Sequence, residues 1–510
     1  MNSTEKLLSI QNLKKYFPVS ETKLFQKERL YVRANEEVSL DIYSGETVGL
    51  VGESGCGKST LGRTILQLYE QTAGSTMYYG RTLEQVAPDY VEFTFQNAGK
   101  MIKEYKRLRE KAEECEKICQ QAGENASFIQ QQSRHIARAE AETAFLKVVK
   151  LLGGFAVLQD CTEGASLLLK KFQAGVKTAR LQEQLRTCGD NRQKLRLTGE
   201  IQKAENDYAQ WKTQVDALKQ RYTENSEFAA FEAYLDNGID LSRLSDLEMR
   251  SLRSDLQIIF QDPYSSLNPR MTVGQLIAEG LVTHGFFKQG DPAMQEYILQ
   301  IMEQCGLQPH MLHRYPHQFS GGQRQRISIA RALGVKPKFV VCDECVSALD
   351  VSIQSQIINL LQELKQTQGL TYLFISHDLS VVRHISDRIG VMYLGNIVEL
   401  GPAEAVFSDP RHPYTVALLS SIPTTDPDGA KRERIILEGS IPSPIKPPVG
   451  CKFHTRCYMA QKKCRQELPP IVEVGQGHYT VCHFPERKLD KQGERLFQSP
   501  RSNGAEWDEI

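Results

Sequence analysis

The sequence predicts an α/β fold interrupted by a helical insertion and followed by an irregular, cysteine-bearing extension. Three observations carry that reading. Short apolar runs at 47–51, 256–260, 339–342 and 371–375 read as buried strands, and helical patterns follow the first and third at 61–68 and 353–364. From about 82 to 238 the texture changes to Gln, Glu, Lys, Arg and Ala, with no proline after Pro88. From Gly401 onward prolines accumulate and four cysteines cluster.

The first elements lead into a loop. Residues 7–10 and 13–17 suggest a strand and its end, 32–42 partly alternates as a second strand, and Gly45 turns the chain into the run 47–51. Next comes Gly52-Glu53-Ser54-Gly55-Cys56-Gly57-Lys58-Ser59-Thr60, which fits the phosphate-binding pattern G-x-x-x-x-G-K-[ST]. Its glycines permit a tight turn that aims consecutive N–H groups at one anion. The helix that follows, with Leu61, Ile65 and Leu68 on one face, offers its positive end to the same phosphates. Lys58 is placed to reach the β- and γ-phosphates and Ser59 to bind Mg²⁺. Tyr16 is placed either to stack on an adenine or to cover the edge of the core.

Composition narrows the classes. Lys and Arg number 62, Asp and Glu also 62, so the chain has no net charge with which to hold nucleic acid by bulk electrostatics. No apolar run reaches the ~18–20 residues of a membrane span, and residues 1–10 lack a signal-peptide core. The expected place is the cytoplasmic side, with contact to a membrane only through partners. Eight of the 12 cysteines are scattered and read as reduced, small apolar residues.

In the helical segment, Met101, Tyr105, Leu108, Ala112, Cys115, Cys119 and Ala122 recur at steps of four and three. Leu197, Ile201, Ala204, Tyr208, Trp211, Val215, Leu218 and Tyr222 follow nearly the same rhythm, the 3.5-residue seam of a coiled coil. These arms predict one antiparallel hairpin, 101–122 against 197–222, with further helices at its tip. The segment either projects as an arm or packs on its host, and is expected to be dispensable for the host fold.

The later motifs supply what a phosphate loop lacks. Asp343 closes an apolar strand and can hold Mg²⁺, and Glu344 beside it can polarise an attacking water. His377 ends another strand near the γ-phosphate, and Gln261 can bridge Mg²⁺, water and a neighbouring surface. Ser320-Gly321-Gly322-Gln323 opens a helix and forms a second anion cradle. One nucleotide does not need two cradles, so the second is assigned to a partner's nucleotide.

Taken in order, the phosphate loop, Gln261, Phe319-Ser320-Gly321-Gly322-Gln323, Asp343-Glu344, Ser347-Ala348-Leu349-Asp350 and His377 resemble the ATP-binding subunits of ABC transporters. The resemblance implies a P-loop NTPase fold of the ABC nucleotide-binding type, split over 1–81 and 239–400 around an insertion at 82–238, with an extension at 401–510. It implies that ATP is held by Tyr16, Gly52, Ser54, Gly55, Cys56, Gly57, Lys58, Ser59, Thr60 and Gln261, and in trans by Ser320, Gly321, Gly322, Gln323 and Asp350. Mg²⁺ would sit on Ser59, Gln261 and Asp343, with Glu344 and His377 catalytic.

Finer stretches, Gly52 to Arg63, Phe260 to Arg270, Ser347 to Ser352 and His412-Pro413-Tyr414-Thr415, are similar to the oligopeptide/dipeptide (and nickel) branch, and within it to the "F" subunit. That implies a second, distinct ATP-binding subunit, two transmembrane permease subunits and, indirectly, an extracytoplasmic peptide-binding protein. Two departures stand out. Cys345 replaces another small residue after Glu344, and roughly 200 residues separate Lys58 from Gln261, where the family has a few dozen.

Cys451, Cys457, Cys464 and Cys482 lie in a core-poor segment, a setting that favours metal ligation over disulfides. Their spacing leaves Zn²⁺, an iron–sulfur cluster and free thiols open. The branch has a similar tail, which implies a [4Fe–4S] cluster. The expected function is thus the ATPase subunit of an oligopeptide or dipeptide importer, peripheral on the cytoplasmic face of the membrane and binding no nucleic acid. The alternative is a soluble ABC ATPase of chromosome maintenance or repair, which also carries long coiled coils.

Overall fold

The computed structural model describes residues 5–19, 30–123, 127–422 and 435–485. Its strands are β1 (Lys6–Pro18), β2 (Tyr31–Tyr43), β3 (Thr47–Val51), β4 (Ala73–Tyr78), β5 (Ile239–Asp240), β6 (Leu256–Ile259), β7 (Phe339–Asp343), β8 (Thr371–Ile375), β9 (Arg388–Tyr393), β10 (Asn396–Pro402), β11 (Ile471–Gly475) and β12 (His478–Val481). The helices used below are α1 (Lys58–Ile65), α2 (Ala98–Ala122), α3 (Phe128–Leu152), α4 (Thr162–Thr187), α5 (Asn191–Gln220), α6 (Gly321–Leu333) and α7 (Val351–Gln368). The chain divides into two compact units. One comprises Met1–Lys6, Lys14–Glu70 and Ser251–Ile510; the other, Leu7–Leu13 and Gln71–Arg250.

The first unit is built on a sheet of order β11-β12-β10-β9-β3-β8-β7-β6. Its centre is parallel: β3 pairs with both β8 and β9, β7 with β8, and β6 with β7. Every residue of β3, β7 and β8 is buried, which is why these strands read as continuous apolar runs rather than alternating ones. Helical residues such as Ile277, Ile327 and Leu361 complete the core. Four parallel strands end on one edge, and each is followed by a residue singled out by sequence: Gly52 after β3, Gln261 after β6, Asp343 closing β7 and His377 after β8. An edge of carboxyl ends is where open α/β sheets collect their ligand groups.

The extension is more regular than expected. β12 pairs antiparallel with β10 (Glu399 opposite Thr480) and β11 with β12, adding two strands to the sheet. His478 anchors this edge, its Nε2 2.8 Å from Glu399 Oε1, with both side chains buried. The parts of the expected extension at 423–434 and 486–510 lie outside the described residues.

The second unit corrects the expected hairpin. α2 packs along α3, and α4 along α5, giving two antiparallel hairpins instead of one formed from the first and last arms. The connections explain it. Gly123 ends α2 at a positive φ of 53°, and only Cys188-Gly189-Asp190 separates α4 from α5, so each helix folds back on its sequence neighbour. Tyr105 meets Phe145 across the first hairpin at 5.3 Å between centroids, and Lys170 lies over Trp211 across the second at 4.9 Å.

The boundaries shift as well. Lys150 of α3 is buried and donates to Ser75 Oγ of β4 at 2.9 Å; β5 pairs with β4, and the Asp240 N–H donates to the Tyr90 hydroxyl. Residues 71–81 and 239–250 therefore fall in the same unit as the helices.

Candidate functional site

The loop after β3 is held in a conformation that only glycine accepts at two positions. A Cβ on Gly57 (φ 106°) would stand 2.2 Å from the Ala34 carbonyl oxygen, and one on Gly52 (φ 149°) 2.2 Å from the Met392 carbonyl oxygen. Lys58 is buried across the loop, donating to Gly52 O at 2.8 Å and Glu53 O at 3.1 Å. Ser54 and Gly55 form the exposed crest, while Ser59 and Thr60 are half-buried at the start of α1. Cys56 packs beneath, and burial pushes its thiol pKa up, so it is a packing residue rather than a nucleophile.

Beside this loop the strand-end residues form two clusters. Glu344 Oε2 accepts from Gln261 Nε2 at 2.8 Å and lies 3.5 Å from His377 Nδ1. Glu344 has φ 49°, a left-handed backbone uncommon for a residue with a side chain; its N–H donates to Ile375 O at 3.0 Å. Asp343 is buried, and its Oδ2 accepts from Arg63 Nη2 at 3.1 Å, while Oδ1 has no partner among the described residues. An acceptor oxygen left open there suits a cation.

The second cradle caps a helix. Ser320 Oγ accepts from Gln323 N while Gln323 Oε1 accepts from Ser320 N, so the two side chains close on each other at the start of α6. Gly322 leaves no room for a side chain, since a Cβ would meet Ile353 Cγ2 at 2.5 Å. Asp350 caps α7, where the Ile353 N–H and then the Ser352 hydroxyl hold its carboxyl below the usual range.

Tyr16 does not offer the open ring expected of an adenine platform. It is 7% exposed and its hydroxyl donates to Glu36 Oε1 at 2.5 Å, because β2 places that carboxylate beside it.

Cys451, Cys457, Cys464 and Cys482 line one small cavity of about 20 Å³, together with Phe453, Met459 and three histidines. The Met459 N–H points at Cys457 Sγ and the Phe484 N–H at Cys482 Sγ, both at 3.4 Å. Burial pushes the Cys451 thiol up to about 11 and raises that of Cys457 further. His454 and His483 spend a ring nitrogen on the carbonyls of Cys451 and Glu467. Among the described residues no three such side chains converge as closely as a single metal ion requires. Four thiols line one cavity, with N–H groups directed at two of the sulfurs, a donor set of the kind that ligates metal.

Sequence reasoning missed the pairing of Arg63 with Asp343 and the contacts of the extension to the loop. Arg456 reaches Glu53 across 403 positions, and the Glu53 N–H donates to the Tyr414 hydroxyl at 2.8 Å. Tyr414 lay within a stretch already singled out, but no local signal pointed it at the loop.

The chain is similar to known proteins of one family. The family described as "ABC transporter" matches residues 35–232 and 232–347, and "Oligopeptide/dipeptide transporter, C-terminal region" matches 398–464. The oligopeptide transport ATP-binding protein AppF of Bacillus subtilis (strain 168) is 34% identical over 482 residues, covering 94% of this chain and 98% of the relative. The putative oligopeptide transport ATP-binding protein YkfD of the same organism is 51% identical over 48% of this chain and 75% of its own length. A putative peptide import ATP-binding protein of Brucella ovis is 53% identical over 48% of this chain and 77% of its own length. Among the described residues, no helix is long and apolar enough to cross a membrane.

Proposed function

We propose that this chain, which belongs to the ABC transporter family, is the ATP-hydrolysing subunit of a membrane importer for oligopeptides or dipeptides. The observation that carries the chemistry is the convergence of Gln261 and His377 on the Glu344 carboxylate beside the Lys58 loop. Glu344 polarises the attacking water, and His377 and Gln261 hold its carboxylate in place. Asp343, Ser59 and Gln261 take Mg²⁺ on the ATP phosphates, which the loop N–H groups and Lys58 hold. Ser320 to Gln323 and Asp350 serve the nucleotide of a second, different ATP-binding subunit. The substrate class rests on the region 398–464 and on the relatives' names.

Two transmembrane permeases and, through them, an extracytoplasmic peptide-binding protein complete the assembly, with this chain peripheral on the cytoplasmic face. The helical segment is an insertion into the ATPase. The four cysteines hold a [4Fe–4S] cluster, which supplies a rigid, redox-active crosslink when bound. The chromosome-maintenance alternative falls away, since the chain carries a transporter C-terminal region and its relatives bear transport names.

The deciding experiment is purification of the intact complex from membranes and its reconstitution into vesicles. Integral-membrane permeases should copurify, and labelled peptide should accumulate only with ATP. Robust ATP turnover in that complex without peptide accumulation would sink the substrate class.

A further inference from the structure

The loop between the first two cysteines of the extension reaches into the phosphate-binding part of its own unit. Phe453 is buried against Tyr393 and Tyr414, with ring centroids at 5.1 and 5.4 Å. Arg456, 7% exposed, forms a two-pronged pair with Glu53, Nη1 to Oε2 at 2.7 Å and Nη2 to Oε1 at 3.0 Å. Glu53 is the second residue of the phosphate loop. Its backbone N–H goes to Tyr414 and its carbonyl accepts from Lys58, so the extension and the loop's own lysine grip the same residue.

A forked guanidinium–carboxylate pair tolerates little displacement. Arg456 immediately precedes Cys457, so whatever holds or releases that thiol also places the guanidinium. We propose that Arg456 is a positioning residue through which the four-cysteine module sets the nucleotide affinity of the phosphate loop. With the module closed, Arg456 cancels the charge of Glu53 and fixes the loop. With it open, a bare carboxylate stands beside the polyphosphate position and repels it. Coupling of this kind is reciprocal, so bound nucleotide steadies the cysteines in return. The inference rests on the reading of this loop as a nucleotide site.

The test is titration of the full chain with Mg–ADP. Arg456→Ala should weaken binding about tenfold, within the usual span of coupling between sites. Adding Glu53→Gln should restore most of that loss, since the stranded charge is gone; simple damage to the fold would not be rescued. Cys457→Ser should weaken binding in the parent chain and change nothing in the Glu53→Gln/Arg456→Ala background. Saturating Mg–ADP should slow alkylation of the extension cysteines in the parent chain but not in Arg456→Ala. If Arg456→Ala does not fold, Arg456→Gln, which removes the charge while keeping most of the side-chain volume, carries the same comparison. Parent-like affinity in the single variant, or no rescue in the double, overturns the inference while leaving the nucleotide site intact. A parent chain that binds no nucleotide overturns the site reading and the inference together.

Discussion

Arg63 Nη2 donates to Asp343 Oδ2 at 3.1 Å, tying the helix after the phosphate loop to the end of β7 across 280 positions. Asp343 is buried with Arg63 as its charge partner, and its second oxygen has no partner among the described residues. Arg63→Ala should therefore cost roughly 1–3 kcal/mol, below the ~3–5 of a fully enclosed pair because Arg63 is one-third exposed. Mg–ADP should raise the variant's Tm more than the parent's, as the cation takes over the carboxylate. Equal Tm values for the two proteins without ligand would count against the pairing.

Glu344→Gln should leave nucleotide binding intact and lower ATP turnover of the assembled complex by about 10²–10⁴-fold, the usual cost of losing a general base. The amide oxygen can still accept from Gln261, so the local structure survives while the proton acceptor is lost. Parent-like turnover would remove Glu344 from the mechanism.

The two glycine positions flanking the loop's turn should separate. Gly57→Ala forces a Cβ to 2.2 Å from a backbone oxygen at φ 106° and should abolish nucleotide binding, with about 1–3 kcal/mol lost in stability. Gly55→Ala meets no atom within 4 Å and carries only the strain of φ 78°, so binding should persist, weakened. Equal effects in a calorimetric titration would refute the steric account.

Anaerobic purification should yield a brown protein containing iron and sulfide, and Cys464→Ser should lose both. A colourless protein with one zinc, or four freely alkylated thiols, would rule out the cluster. The parent chain should also become more prone to proteolysis of the extension when the iron is chelated, because the buried thiols lose their crosslink.

Contrary to the dispensability expected from the sequence, replacing 82–238 with a short Gly/Ser linker should give insoluble protein. β4 is buried at every residue and loses the Lys150 contact to Ser75, while its partner β5 loses the Tyr90 contact to Asp240. A soluble, nucleotide-binding deletion variant would show instead that the helices are dispensable.

The sequence was most legible where one contiguous stretch carries both the element and its chemistry. The phosphate loop, Asp343-Glu344 and the cap at Ser320 are of that kind, since strand end, turn and helix start are encoded side by side. Three things were not. The 3.5-residue seam shows that a helix has a partner but not which one; the short turns at Gly123 and Cys188–Asp190 decide it. The burial of Tyr16 depends on Glu36 of another strand. The partners of Asp343 and Glu53 are set by the tertiary fold alone, at separations of 280 and 403 positions.

The pairing of β3 also bears on how this protein is made. Val48 lies between Leu373 and Arg388 in the ladders, so the strand that launches the phosphate loop has no sheet partner until more than three hundred further residues have been translated. At about 5–20 residues per second, that is a wait on the order of half a minute. Throughout it a largely apolar segment is exposed in the nascent chain, while the helical hairpins, whose contacts are short-range, can already form. The catalytic sheet thus closes late in synthesis, and a ribosome that stalls before residue 371 leaves a chain with folded helices and an unpaired, aggregation-prone β3.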